Sequence, residues 1–287
     1  MTDRAEQQDQ LAAGKPLFFN SIPKCGKNLV VTFLAKLGYQ RLWFADDRFN
    51  RAAYARCFDA FPGRASYVYP WDPEPTGNGN EFEPFRADLE SLGDNQFYHQ
   101  HTVFEGELAR IVDRTGVRSL FVYRDPRDAL VSALNYARTQ ALPNHVAEMI
   151  EGYSPEDALL FLIEGDDRFV PFTDYFQSFH GWRDNPGTLC LRFEDMIGPK
   201  GGGSLKRQKT AFAALAAHLD WAGPQETLDR ATDAAFNPRA GTFFRGQTGT
   251  WREYFTPRVE RAFLRRHETL LRDWGYDSPG VAPSFPG

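Results

Sequence analysis

The chain has 287 residues, 42% hydrophobic and 25% charged, which suits a soluble globular protein whose core needs no covalent staples. Its 33 basic and 38 acidic residues leave a net charge of −5, which argues against a general nucleic-acid binder and against a long polyanionic substrate. Cys25, Cys57 and Cys190 offer neither a disulfide framework nor a zinc spacing, and no apolar run approaches the roughly 20 residues of a membrane span.

Residues 1–15 read as a loose polar tail without the apolar segment of a signal peptide, and 16–287 as a single domain; the expected location is cytoplasmic. Pro16 to Ile22, PLFFNSI, is a short apolar run of the kind that forms a buried strand. Val30, Val31, Phe33, Leu34 and Leu37 then fall at helical spacing, with Gly38 as a stop. The intervening letters, SIPKCGKN, therefore sit on a strand-to-helix turn. Residues 40–95 are aromatic and irregular, with a Pro/Gly/Asn-rich loop. Strands are expected at Asn95–His101, at Val117–Tyr123 and at Thr188–Asp195. Pro126 is well placed to open a helix with Ala129, Leu130, Ala133 and Leu134 on its apolar face and Asp128, Ser132 and Asn135 opposite. The Gly-rich GPKGGGS reads as a connector rather than a second phosphate loop, leading to a helix over about 206–219. A last helix follows Thr256-Pro257 and ends near Trp274.

This alternation predicts an α/β fold with a central, mostly parallel sheet. Ligands of such sheets bind beyond the carboxyl ends of the strands. Lys24, His101, Arg124 and the Glu194-Asp195 pair all stand at expected strand ends, so neighbouring strands would bring them to one crevice.

SIPKCGKN matches only Gly26 and Lys27 of the nucleotide-triphosphate loop G-x-x-x-x-G-K-[ST]. A Gly-rich turn opening a helix still presents backbone N–H groups and the positive end of the helix dipole to an anion, and Lys24 and Lys27 add charge. A phosphate or sulfate group is the natural ligand. The hydroxyl that would hold Mg²⁺ is replaced by Asn28, which speaks against a metal-dependent kinase or NTPase.

IPKCGKN, VYRDPRDALVSALNY with Arg124 and Ser132 eight residues apart, FEDM at Phe193 to Met196, and TFFRGQTGTWREYF together resemble the cytosolic-type sulfotransferases, in the family's order and over most of the chain. These enzymes use 3′-phosphoadenosine 5′-phosphosulfate (PAPS). The resemblance implies a P-loop-like three-layer fold with helices flanking the sheet. It implies that Lys24, Cys25, Gly26, Lys27 and Asn28 form the loop around the 5′-phosphosulfate. Arg124 and Ser132 would bind the 3′-phosphate, with Arg245 and Gly246 closing over it, and Phe193 would line the adenine pocket where the family often has Tyr. Trp251 would be structural. The chain departs from the family's Lys-Ser-Gly-Thr-Thr-Trp at Cys25, Lys27, Asn28 and Leu29, and Phe244 replaces a basic residue.

Sulfuryl transfer to a hydroxyl requires a proton acceptor, in-line placement and stabilisation of the leaving phosphate; positioning and electrostatics dominate such reactions. Lys24 is assigned to the leaving phosphate, with Lys27 in support, and no metal is expected. Histidine is the natural base. Two apart on a strand, His99 and His101 would face one site; the family comparison favours His101 as base and places His99 where the family often has a Lys. The remaining histidines, His145, His180, His218 and His267, are expected in packing or surface roles, and Glu194 and Asp195 in ordering a strand end. The aromatic segment from Trp43 to Phe85 is either the pocket for the acceptor or ordinary packing. The expected partner is a small apolar or aromatic acceptor, neither nucleic acid nor membrane. An ATP-dependent small-molecule kinase and a non-catalytic nucleotide sensor remain as alternatives.

Overall fold

The computed structural model describes residues 12–44, 46–68, 80–139, 145–240, 243–266 and 269–276. Five strands, β1 (Leu17–Ser21), β2 (Gln40–Leu42), β3 (Gln96–Gln100), β4 (Arg118–Tyr123) and β5 (Thr188–Arg192), form one parallel sheet in the order β2-β3-β1-β4-β5. The α/β reading holds. β1 is central and buried along its whole length, which is why it reads as continuous apolar sequence rather than as an alternation.

Side-chain alternation then divides the core in two. Leu17 and Phe19 of β1, Phe97 of β3, and Leu120 and Val122 of β4 pack on one face; Phe18, Tyr98, Phe121 and Tyr123 pack on the other. The first face is covered by α1 (Lys27–Lys36) and by two later helices, Leu205–His218 and Gln225–Ala234, with the rings of Phe33 and Phe212 stacked 4.3 Å apart. The second is covered by a larger assembly. It includes Arg48–Cys57, Glu83–Glu90, Gly106–Thr115, Pro126–Thr139, Pro155–Glu164 and Pro257–Arg266.

Sequence and structure differ at particular places. β2 was not expected: it is only three residues long, and its edge position leaves it without a buried apolar run. β5 stops at Arg192, and Phe193–Met196 turns into a short helix in which Arg192 pairs with Asp195 at 2.9 Å. Ala12 to Lys15, in the stretch read as tail, are tied to the body: Gly14 N–H donates to Asn95 Oδ1 and Lys15 N–H to the Leu219 carbonyl. GPKGGGS is more than a connector. Its Gly201 is buried so close to the Gly246 carbonyl that a β-carbon would collide with it, and the Thr248 N–H donates to the Gly201 carbonyl. Among the described residues, no helix is long and apolar enough to cross a membrane.

Candidate active site

Because β3, β1 and β4 are adjacent, the three segments leaving their carboxyl ends meet. They open on a cavity of about 370 Å³. The β1 exit contributes Lys24 and Gly26, and α1 contributes Lys27 and Asn28. The β3 exit contributes His101, and the β4 exit Arg124 with Asp128 and Ser132 on the following helix. Phe193 closes the β5 side, and Phe244, Arg245 and Gly246 come from the C-terminal segment.

Gly26 caps α1 at φ 104°, a left-handed value that favours glycine. Space demands glycine as well, since a β-carbon there would lie 2.8 Å from Phe193 Cδ2. The Phe193 ring in turn carries the Arg124 guanidinium at 4.1 Å. Arg124 donates from Nη2 to the Gln247 carbonyl at 2.6 Å and from Nη1 to the Lys24 carbonyl at 3.4 Å, so it bridges the β1 loop to the C-terminal segment. Its Nε is buried with no hydrogen-bond partner among the described residues. Asp128 lies 3.7 Å from Arg124, but its oxygens accept from the Gly249 and Trp251 N–H groups at 2.7 and 2.9 Å. Trp251 carries Arg127 over its ring and packs against Phe255.

Lys24 and Lys27 line the cavity, and neither has a carboxylate partner among the described residues. Lys24 sits 3.9 Å over the Tyr136 ring; burial, then the charges of Lys27 and Arg124, lowers its pKa to about 7. Lys27 is lowered by burial and by Arg41. Two lining lysines without a carboxylate partner among the described residues suit an anionic ligand. Ser132 is buried at the cavity's edge, and its hydroxyl makes no hydrogen bond to a described residue.

His101 donates from Nδ1 to the Ser21 carbonyl at 2.7 Å, which leaves Nε2 as the ring's lone pair. Burial is the main cause that lowers its pKa to about 3; the Ser21 bond opposes this, while Lys27, Lys24 and Arg41 lower it further. The ring is therefore neutral at pH 7. His99 is the outlier of the pair. It is buried behind His101 with the two rings 4.7 Å apart, does not line the cavity, and uses both nitrogens on Ser21 and Arg41.

Other expectations shift with packing. The Cys25 thiol is wholly buried in the core and does not reach the cavity, so only the backbone of that residue belongs to the loop. Glu194 and Asp195 turn away from the crevice: Glu194 accepts from the Asp125 N–H and the Tyr276 hydroxyl, and Asp195 pairs with Arg192 and Arg207. The aromatic segment divides. Tyr67 and Val68 line the cavity, whereas Phe49, Tyr54, Phe58 and Phe85 are core; residues 69–79 lie outside the described residues. His180 and His218 bond to backbone carbonyls away from the cavity, and His267 lies outside the described residues. His145, by contrast, lines the cavity with Nε2 donating to the Ser66 carbonyl at 2.7 Å. Tyr136 and Phe243 also belong to the lining unforeseen. The spacing of Tyr136 from Ser132, four residues on one helix, was the available signal.

The fold is that of the sulfotransferases. The chain superposes on mouse sulfotransferase SULT7A1 complexed with PAP with a TM-score of 0.56 and 17% identity, covering 90% of this chain and 84% of that one. Retinol dehydratase in complex with androsterone and the inactive cofactor PAP gives 0.52 and 15%, covering 94% and 82%. The same enzyme with retinol and PAP gives 0.51 and 16%, covering 93% and 83%. No protein-family model and no curated protein sequence matches the chain.

Proposed function

We propose that this protein transfers a sulfuryl group from PAPS to a hydroxyl of a small apolar or aromatic acceptor. The observation that carries the reading is the convergence of Lys24, Lys27 and Arg124 on a cavity at the opening of α1, with neither lysine matched by a carboxylate among the described residues. The PAP-bound neighbours share the fold in which this occurs and support the same ligand class.

The residues fit that ligand. Gly26 keeps that point of the loop free of side chain, the N–H groups opening α1 suit a 5′-phosphosulfate, and Arg124 and the Ser132 hydroxyl, which line the same cavity and leave Nε and Oγ unpartnered among the described residues, suit a second phosphate. Phe193 and Phe243 offer apolar walls for a base. When bound, PAPS supplies the sulfuryl group; the remaining tasks fall to the chain. His101 Nε2 takes the proton of the acceptor hydroxyl. Lys24 stabilises charge on the departing phosphate oxygen, with Lys27 beside it. Tyr67, Val68 and Tyr136 present an apolar and aromatic wall to the acceptor. Anionic charge held near Lys24 and Lys27 offsets two of the cations that depress His101, raising the base toward its working range.

The test is ligand-induced thermal stabilisation followed by turnover. Adenosine 3′,5′-bisphosphate should stabilise the protein without magnesium, and His101→Ala should bind it while losing transfer from PAPS. Stabilisation by ATP only with magnesium would reject the reading in favour of a kinase. Binding without sulfation across a broad panel of hydroxyl acceptors would reject it in favour of a sensor.

A further inference from the structure

GPKGGGS, from Gly198 to Ser204, contributes no residue to the cavity lining, yet it touches the segment that closes the cavity. The run is stiff. Pro199–Gly201 forms one turn of 3₁₀ helix, and the N–H groups of Gly201 and Gly203 both donate to the Gly198 carbonyl, at 3.1 and 2.8 Å. Its two ends are fixed. Ile197 is buried in the cavity wall, and the Ser204 hydroxyl accepts from the Arg207 N–H at 3.4 Å as the helix Leu205–His218 begins.

Two of its glycines are required for opposite reasons. Gly202 stands at φ 80°, in the left-handed region, but a β-carbon there would meet nothing nearer than Thr248 Oγ1 at 3.5 Å. Gly201 is not in the left-handed region, so its backbone suits other residues and only space excludes a side chain. That space is taken by Ile197 Cγ1 and by the Gly246 carbonyl oxygen.

The same residue also bonds to the closing segment, because the Thr248 N–H donates to the Gly201 carbonyl at 3.2 Å. Two further anchors lie beyond it. The Gln247 carbonyl accepts from Arg124 Nη2 at 2.6 Å, and Asp128 accepts from the Gly249 and Trp251 N–H groups. Of the three anchors, Gly201 is the one pressed against Gly246, the neighbour of Arg245, and both of those residues line the cavity.

We propose that Gly201 is the seat that sets the height of Arg245 and Gly246 over the cavity, and thereby the preference for a nucleotide carrying a 3′-phosphate; this rests on the reading of the cavity as a PAPS site. Gly201 is a positioning residue, acting through the backbone of Gly246. A side chain at 201 finds no room in the loop, whose own hydrogen bonds close on Gly198, nor toward the buried Ile197. The closing segment therefore lifts at Gly246, while Arg124 and Asp128 keep their hold on residues 247–251. Lys24 to Asn28, assigned to the 5′ end of the nucleotide, belong to another segment and stay in place.

The experiment is calorimetric titration, without magnesium, with adenosine 3′,5′-bisphosphate and with adenosine 5′-monophosphate, alongside amide hydrogen exchange of the ligand-free protein. The native protein should prefer the bisphosphate. Gly201→Ala should weaken the bisphosphate roughly tenfold, which is about 1.4 kcal/mol, and leave the monophosphate within about twofold. Gly202→Ala, which strains the loop without crowding the closing segment, should lower Tm and keep the native preference. The Thr248 amide should exchange slowly in the native protein and in Gly202→Ala, and faster in Gly201→Ala. An unchanged preference in Gly201→Ala, or an equal loss in Gly202→Ala, would overturn the seat. Should Gly201→Ala fail to fold, free exchange of the Thr248 amide in the native protein would overturn it, and slow exchange together with the native preference in Gly202→Ala would support it. A native protein that binds both nucleotides equally would instead overturn the reading of the cavity, while the Thr248 amide would still report on the seat.

Discussion

Gly26→Ala tests the loop architecture most sharply. The new β-carbon would meet two separate penalties. The backbone stands at φ 104°, and holding a non-glycine residue in such a region costs of order 1–3 kcal/mol. The carbon would also lie 2.8 Å from Phe193 Cδ2, and the ring cannot retreat freely because Arg124 is stacked on it at 4.1 Å. Overpacking of this kind adds roughly 1–3 kcal/mol. The sum is about 4 kcal/mol of lost stability, measured by urea unfolding, with affinity for adenosine 3′,5′-bisphosphate reduced in parallel. Phe193→Leu separates the parts. It relieves the contact but not the dihedral strain, so the double mutant should show a coupling of about 1 kcal/mol or more between the two sites. Additive losses, within about 0.5 kcal/mol, would show that the ring does not constrain the loop and refute the reasoning.

Three further outcomes follow from the same geometry. Asp128→Asn replaces one of two acceptor oxygens with a donor facing a backbone N–H and leaves Arg124 without its anion; unfolding should cost about 2 kcal/mol less, since charged hydrogen bonds contribute roughly 1.5–3 kcal/mol each and the buried carboxylate offsets part of that through desolvation. Lys24 has its pKa lowered to about 7, so it is charged below that pH and progressively neutral above it. Bisphosphate affinity measured calorimetrically should therefore weaken as pH rises from 7 to 9, above the phosphate titration near 6, and Lys24→Met should flatten the profile. Arg245 lines the cavity, and its hydrogen-bond partner among the described residues is the exposed Glu253, so Arg245→Ala should weaken bisphosphate binding in a titration with no measurable shift in Tm.

What could be read from the letters alone follows from how each feature is encoded. β1 and β4 are short apolar runs because both faces are covered, and α1 announces itself by its spacing and by Gly38. Lys24 and Arg124 were legible because each stands just past a strand end, and Gly26 and Lys27 because a Gly-rich turn opens α1, so their meeting needed only adjacent strands; Ser132 was singled out only by the family resemblance. β2 was hidden because QRL has a single apolar residue, and Arg41 with it. The overrun of β5 came from Phe193, whose bulk continues the strand pattern while its backbone turns helical. His99 and His101 follow the two-residue alternation, yet His101 lies just past the strand, where the cavity begins, and His99 is still inside the sheet. His145 and Phe243 reach the cavity through tertiary packing of distant segments, which leaves no local mark.

The shortness of β2 has a thermal consequence. An edge strand of three residues, paired on one side only, belongs among the parts of a fold that open first. It also carries Arg41, whose Nη2 lies 3.3 Å from Nδ1 of the buried His99. Fraying there would release the His99 ring while the central strands and the cavity beyond their carboxyl ends stay intact. Warming should accordingly loosen Arg41 and His99 before it erodes the bulk helical signal, making this margin of the sheet the first part of the described fold to open.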